Sequence, residues 1–359
     1  MLVTGGAGFI GRRVVDELLE RGHRVRVLDS LRPDVHRDDA AAVALARRTE
    51  LLVGDVRDGA TLDRALADIG VVVHLAAKVG LGVGLSDLPD YASSNDYGTA
   101  CLLAALARAG VRRLVLASSM VVYGEGLGRC AEHGPVRPQS RPLQWLAAGQ
   151  FEPPCPVCRS PLSPMLVDED ASPDPRNAYA ASKLAQEHLA AVWARSVGGS
   201  ATVLRYHNVY GPGLPVHTPY AGVAALWLSE LRAGRAPRVF EDGAQRRDFI
   251  HVDDVAVATA SAVEASDHPA ARAAVRAFNV GSGTVRTVGE MASALSAAFG
   301  GPAPIVTGEY RLGDVRHITA DSTRLREELG VSTSVALEDG IASMIAESIG
   351  HGCASVDVS

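Results

Sequence analysis

At 359 residues the chain can bury a substantial core, as one large domain or two. Its 21% charged residues and formal net charge of −6 supply no basic stripe for nucleic acid, and no apolar run approaches the roughly 20 residues of a bilayer span. Met1-Leu2-Val3-Thr4 runs straight into a glycine cluster and predicts no secretory leader, so a cytoplasmic protein without nucleic-acid or membrane partners is expected.

Leu2-Val3 is a strand short by about a residue or two, so the chain is expected to start slightly late. Gly5-Gly6-Ala7-Gly8-Phe9-Ile10-Gly11 follows it. Arg12 to Arg21 then reads as a helix with Val14, Val15, Leu18 and Leu19 on one face and Gly22 as its stop. Further strands are expected at Val25 to Asp29, Glu50 to Val53, Val71 to Leu75 and Leu114 to Ser118, with a helix from Tyr97 to Ala109. Short apolar strands alternating with helices predict an α/β fold of the Rossmann type: a doubly wound parallel sheet with helices on both faces. Later helices, Ala221 to Ala233 and Val288 to Phe299, are joined by Gly/Pro-rich segments and suit a smaller C-terminal substrate-binding lobe. Residues 1–185 are expected to form the dinucleotide-binding domain, interrupted by a Cys/His insertion at 126–165. Residues 186–348 are expected mainly in the second lobe, with segments near 202–210 and 239–265 returning to the first, and 349–359 as a flexible tail.

The glycine cluster sits between a strand and a helix, where glycine lets the backbone approach a pyrophosphate whose charge rests on the helix N-terminus. Asp29 ends the second strand 18 residues past Gly11. A carboxylate there accepts from both ribose hydroxyls and repels a 2′-phosphate, which favours NAD over NADP, although Arg32 nearby works the other way. The cofactor set read from the sequence is Gly5, Gly8, Phe9, Ile10, Gly11, Asp29, Asp55, Val56, Ala76 and Lys78, joined by Tyr179 and Lys183. Asp55 is the candidate for the adenine edge.

Of 35 basic residues only Lys78 and Lys183 are lysines. A lysine retained in an arginine-rich chain suggests a need for a compact, pKa-shiftable ammonium. Tyr179 and Lys183 are four apart, on one face of a helix. A tyrosine with a pKa near about 10 is a poor base at neutral pH. The ammonium one turn away, with a positive nicotinamide, is expected to favour the phenolate.

With these motifs in order, the sequence resembles the extended short-chain dehydrogenase/reductase family, the NAD-dependent nucleotide-sugar epimerases and dehydratases. The resemblance rests on Thr4 to Gly11, His74-Leu75-Ala76-Ala77, Asn95 with Gly98-Thr99, Ser118 to Gly124 and Tyr179-x-x-x-Lys183. It continues through Arg205 to Gly213, Arg247 to Val255 and Asn279-Val280-Gly281. It implies Ser119, Tyr179 and Lys183 as the catalytic set, with Ser119 relaying the proton of the reacting sugar oxygen. It also implies Asn208 at the nucleotide diphosphate, Arg247 on a phosphate oxygen, and Arg316 as a second cation there; Lys78 is placed near nicotinamide and sugar. Dehydratases of the family carry Asp-Glu directly after the hydroxyl residue, and decarboxylases keep the Glu. Here Met120 and Val121 stand in those places and cannot exchange protons.

The resemblance therefore implies a nucleotide-sugar 4-epimerase, working through a transient 4-keto ring on a dTDP- or UDP-(deoxy)hexose. The rivals are a nucleotide keto-sugar reductase using NAD(P)H, a UDP-glucuronate 4-epimerase or decarboxylase and, from another class, a non-catalytic NAD-binding scaffold. Arg246-Arg247, Tyr206-His207 and Val79 to Gly84 look most like the dTDP-L-rhamnose 4-epimerase-like branch. A homodimer built on a two-helix face is a further family expectation.

Cys130-x-x-His133 and Cys155-x-x-Cys158, with 21 residues between the pairs, have the spacing of a closed four-ligand zinc site. Most family members have a short connection at this point. Structural zinc is the expectation, reduced or redox-active thiols and chance spacing the alternatives, and no catalytic role is expected. Lying between Ser119 and Tyr179, the insertion is placed to fold over the sugar pocket.

Overall fold

The computed structural model describes residues 1–33, 35–36, 40–80, 85–215, 222–268 and 274–350. Leu81 to Gly84, Ala221 and the tail beyond 350, all named above, lie outside these residues. The first half alternates β1 (Leu2–Thr4), α1 (Phe9–Glu20), β2 (Arg26–Asp29), α2 (Ala40–Ala46), β3 (Glu50–Val53), α3 (Gly59–Ala65) and β4 (Val72–His74). Then come α4 (Leu88–Tyr91), a π-helical stretch over Ala92–Tyr97, α5 (Gly98–Ala109) and β5 (Arg113–Ser119).

A 3₁₀ turn, Met120–Tyr123, leads into β6 (Leu127–Cys130), β7 (Gly134–Val136), α6 (Leu143–Ala147) and β8 (Ser163–Met165). After α7 (Ala178–Val197) follow β9 (Ser200–Tyr206), β10 (Asn208–Tyr210), α8 (Val223–Arg232), β11 (Arg238–Val239), β12 (Arg246–His251) and α9 (Val252–Ala265). The chain ends on β13 (Val275–Val280), β14 (Val285–Thr287), α10 (Val288–Phe299), β15 (Ile305–Val306), β16 (His317–Ile318), α11 (Thr323–Leu329) and α12 (Leu337–Gly350).

The central sheet has seven parallel strands in the order β3-β2-β1-β4-β5-β9-β13. Such strands are covered on both faces and read as continuous apolar runs: Leu114, Val115 and Leu116 of β5 are all fully buried. One face packs Val14, Val15 and Leu18 of α1 with Ala256, Ala260 and Val263 of α9. The other packs Leu62 of α3, Leu102 and Leu106 of α5, and Trp193 of α7. A third core joins Trp227 and Leu228 of α8 to Met291 and Leu295 of α10 and Met344 of α12. Strand order reverses between β1 and β4, and the carboxyl ends of the strands at such a point form a crevice for ligands.

Two expectations shift. Helix α1 starts at Phe9 rather than Arg12, so Gly11 lies inside its first turn. A Cβ on Gly11 would sit 2.1 Å from the Gly5 carbonyl, so this glycine serves helix-to-turn packing rather than the turn itself. The insertion, for which no elements were expected from the sequence, is ordered. It carries a three-stranded antiparallel sheet, β7-β6-β8, whose strands of three or four residues are too short to leave a period in the sequence.

Candidate active site

A cavity of about 450 Å³ opens at the carboxyl ends of the central strands, and Gly5, Asp29, Ala76, Ser119, Tyr179 and Lys183 all line it. Gly5 takes φ +71°, and a Cβ there would meet the Ala76 backbone at 2.7 Å, so the β1–α1 turn requires glycine. Helix α1 has Gly8 as its N-cap, no capping side chain and no acid in its first turn. Its first amides are left for an acceptor in the cavity, the arrangement that receives a pyrophosphate. Asp29 accepts from the Ala7 and Leu31 amides, both at 2.9 Å, and lies 3.5 Å from His36 Nε2. Burial works against its charge, but His36 and the two amides outweigh it and hold the carboxyl below its usual range. Asp55 also reaches the cavity, clamped by Arg57 at 2.6 Å, and Phe9, Ile10, Gly11 and Val56 complete that end.

The helix α7 begins where Asn177 caps Ala180 N at 2.9 Å, which places Tyr179 in its first turn. Strand β5 ends at Ser119 beside the end of β9, in register with Tyr206. The Ser119 hydroxyl accepts from Val121 N at 3.4 Å and is the neighbour that favours the Tyr179 phenolate. Lys183 Nζ donates to the Ala117 carbonyl at 2.9 Å and lies 6.0 Å from the Tyr179 ring centroid. Met120 and Val121 are buried, line the cavity and pack with Tyr179. The lowering of the phenol expected from the sequence depends on Lys183 together with a bound nicotinamide. In the protein alone burial pushes the phenol up, with Ser119 opposing. Burial also holds the Lys183 ammonium down, at about 8, against the pull of Glu187. Charge proximity was legible in the sequence, but desolvation was not.

Lys78 lines the cavity with its ammonium 2.5 Å from Asp90, and its backbone is locked to Asn95 by two bonds of 2.7 and 2.9 Å. Asn208 lines it too, and its Oδ1 is buried without a hydrogen-bond partner. Arg247 and Arg316, expected at a phosphate, do not line it. Arg247 is turned to the carbonyls of Arg246, Val315 and Arg316. Arg316 is fully buried between Glu152, Glu241 and Asp242 at 2.5–2.9 Å, so its charge is already matched. The spacing of an arginine to a motif does not reveal acids supplied by distant segments, here Glu152 of the insertion and Glu241 and Asp242 of the turn between β11 and β12. His36, Arg57, Tyr206 and His207 line the cavity and were missed as site residues. His36 lies seven residues past Asp29, a spacing that carries no signal of its own.

Away from the cavity, the ligand atoms of Cys130, His133, Cys155 and Cys158 lie within 4.8 Å of one another. Cys130 Sγ is 3.5 Å from both His133 Nδ1 and Cys158 Sγ. The Cys155 to Ser160 turn closes through Arg159 N to Cys155 O at 3.0 Å and Cys155 N to Ser160 O at 2.8 Å. Arg159 takes φ +65°, a conformation L side chains rarely adopt. The turn therefore holds both thiols inward at some backbone cost.

The sequence matches the family model described as "NAD dependent epimerase/dehydratase family" over residues 1–142 and 159–281. The stretch between these matches, 143–158, holds α6, Glu152 and the second cysteine pair. The chain is 36% identical to dTDP-L-rhamnose 4-epimerase of Burkholderia thailandensis over 348 residues, 96% of this chain and 93% of that one. UDP-glucose 4-epimerase from Thermotoga maritima, solved with UDP-glucose, superposes with a TM-score of 0.79 at 28% identity, covering 98% of each chain. The Thermus thermophilus UDP-glucose 4-epimerase, solved with NAD, gives 0.76 at 29% identity over 97% of this chain and 98% of that one. With the family model covering well over half of its length, the chain belongs to the NAD-dependent epimerase/dehydratase family.

Proposed function

We propose that the protein is an NAD-dependent nucleotide-sugar 4-epimerase that acts on a dTDP- or UDP-linked (deoxy)hexose through a transient 4-keto ring. One observation carries the reading. Ser119, Tyr179 and Lys183 converge on the cavity while the two positions after Ser119 are the apolar Met120 and Val121. Oxidation and reduction at one carbon need a single proton-transfer chain, whereas elimination needs a further acid or base next to the ring.

The glycine turn, the uncapped α1 amides and Asp29 fit a dinucleotide with an unphosphorylated ribose. When bound, NAD supplies a hydride acceptor that later returns the same hydride. Tyr179 takes the proton of the C4 hydroxyl and Ser119 relays it; Lys183 stabilises the phenolate. Asn208 is assigned to the diphosphate and Lys78 to the space between nicotinamide and sugar. Tyr179 is half-buried against Met120, Val121 and Ala180, an apolar wall that limits water at the reacting oxygen. Incubating purified enzyme with dTDP- and UDP-sugars, without added reductant, tests this. The C4 epimer should form with no net change in nicotinamide absorbance, and a requirement for stoichiometric NAD(P)H would make the enzyme a reductase.

We assign a structural zinc ion to Cys130, His133, Cys155 and Cys158, because three thiols and an imidazole at this separation match its preferred donors. We also propose a homodimer through α5 and α7, which expose Val192 at 56%, with Tyr97 at 59% on the adjoining π-helical stretch.

A further inference from the structure

Behind the catalytic residues runs a buried polar chain that the mechanism above does not use. Glu187 lies one turn after Lys183 on α7 and is 7% exposed. Its Oε1 accepts from Ser118 Oγ at 2.5 Å and from Arg205 Nε at 3.0 Å; its Oε2 accepts from an Arg205 terminal nitrogen at 2.8 Å. Arg205 continues to Tyr123 Oη at 2.8 Å and to the Glu169 carbonyl at 3.0 Å. Tyr123 in turn donates to Asn279 at 2.7 Å. A fork-to-fork pair with all three guanidinium nitrogens engaged leaves the carboxylate almost no freedom to move.

We infer that Glu187 is a positioning residue for the epimerase reaction: fixed by Arg205 and Ser118, it keeps the buried Lys183 in its ammonium form. The inference rests on the epimerase reading only in that Lys183 must be charged for turnover. Charge balance supports it. Lys183, Arg205 and Glu187 together carry one positive charge in a buried region, and ionisation of Tyr179 brings the four groups to neutrality. Without Glu187, two cations share that buried region without a counter-charge and the lysine, the weaker base of the two, gives up its proton.

The other groups around Lys183 do not replace it. His74 on β4, bonded to Thr4 and Thr99 hydroxyls at 2.7 and 3.0 Å, is held down at about 3 by burial and by Lys183 itself. Tyr91 of α4 meets the Tyr179 ring at 6.1 Å and donates to the Gly80 carbonyl. Tyr123 of the 3₁₀ turn is pushed up by burial and stays neutral, and Glu169 is bound to the Asn279 amide at 2.7 Å on the far side of Arg205. Asp96, on the π-helical stretch packed against α7, is pushed up by burial. Burial brings Lys183 to about 8, with Glu187 the one cause opposing it.

The chain contains two lysines, so ¹³Cε-lysine NMR reads Lys183 directly, with Lys78→Arg to assign the signals. In the wild type the Lys183 signal should show an ammonium at pH 7. In Glu187→Gln its midpoint should fall by at least one pH unit, and the alkaline limb of the pH–rate profile should move with it, giving about a fivefold or greater loss of kcat at pH 8. Glu187→Asp, which keeps the charge, should keep the midpoint within half a unit of the wild type. A Lys183 midpoint unmoved in Glu187→Gln, or a wild-type Lys183 already neutral at pH 7, overturns the inference. Should Glu187→Gln fail to fold, the wild-type and Glu187→Asp titrations decide it. An inactive wild type with normal titration would instead reject the epimerase reading and leave this inference standing.

Discussion

Tyr179 sits where burial and its proposed catalytic role pull in opposite directions. Desolvation favours the neutral phenol, so the proposed mechanism needs a partner charge in the assembled site to release the proton. Tyr179→Phe removes the proton carrier and keeps the ring, and should lower kcat about 10³-fold while NAD still binds. Unchanged turnover would refute the mechanism. Lys183 leads to a second prediction with a definite sign. Its folded value, about 8, lies below the ordinary 10.5, so the unfolded chain holds the proton more tightly. The buried ammonium therefore costs stability below pH 8, and the cost fades as pH rises from about 8 to 10.5. Lys183→Met should abolish turnover yet raise Tm at pH 7, with the gain narrowing over that window; a Tm lowered at pH 7 would contradict it. The Tyr179–Lys183 pair was legible because a helix turn fixes the spacing of its residues. Glu187 shares that face and was not singled out, since its role depends on Arg205, contributed by β9.

At the scale of elements, the insertion is fastened to the C-terminal half by charge. Arg141 binds Glu241 at 2.8 Å, and Arg316 and His317 both hold Glu152, a residue of the insertion, at 2.5 and 2.8 Å. Arg316→Met leaves Glu241 and Asp242 without that partner and should destabilise the protein by about 3 kcal/mol. KM for the nucleotide sugar should rise little; a large KM effect at unchanged Tm would return Arg316 to the phosphate. Burial raises the Glu152 carboxyl, but His317 and Arg316 outweigh it and bring it to about 2, below the ordinary 4.5. Its contribution is present above pH 4.5 and is lost as pH falls toward 2, so the Tm gap between wild type and Glu152→Gln should close over that range. The zinc assignment makes a separate prediction. Protein purified without added metal should contain one zinc per chain, and Cys155→Ser or chelation should remove it and lower Tm. A zinc-free, well-folded wild type would reject the assignment. The cysteine spacing was legible in the sequence. The short strands β6, β7 and β8 were not, because three or four residues leave no period, and neither were the acids that claim Arg316, which lie more than 70 residues from it in the chain.

On the scale of the whole molecule, the seven-stranded parallel sheet follows from the alternation of apolar strands and amphipathic helices, and its strand-order reversal puts the glycine turn, Ser119 and Tyr179 around one cavity. The parallel strands of the first half could be read directly from their continuous apolar runs. The small sheet of β10, β12, β14 and β16 could not: β12 pairs in both directions, antiparallel to β14 and parallel to β10 and β16, and no periodicity encodes that choice. The proposed α5/α7 dimer should appear as twice the chain mass in light scattering, and Val192→Asp should halve it. The central claim is that one hydride leaves C4 and returns to its other face. A nucleotide sugar carrying deuterium at C4, incubated with the enzyme in ordinary water, reads this directly. The account predicts the C4 epimer with deuterium retained at C4 and no net reduced nicotinamide; loss of the label to solvent, or a 4-keto-6-deoxy product, would contradict it.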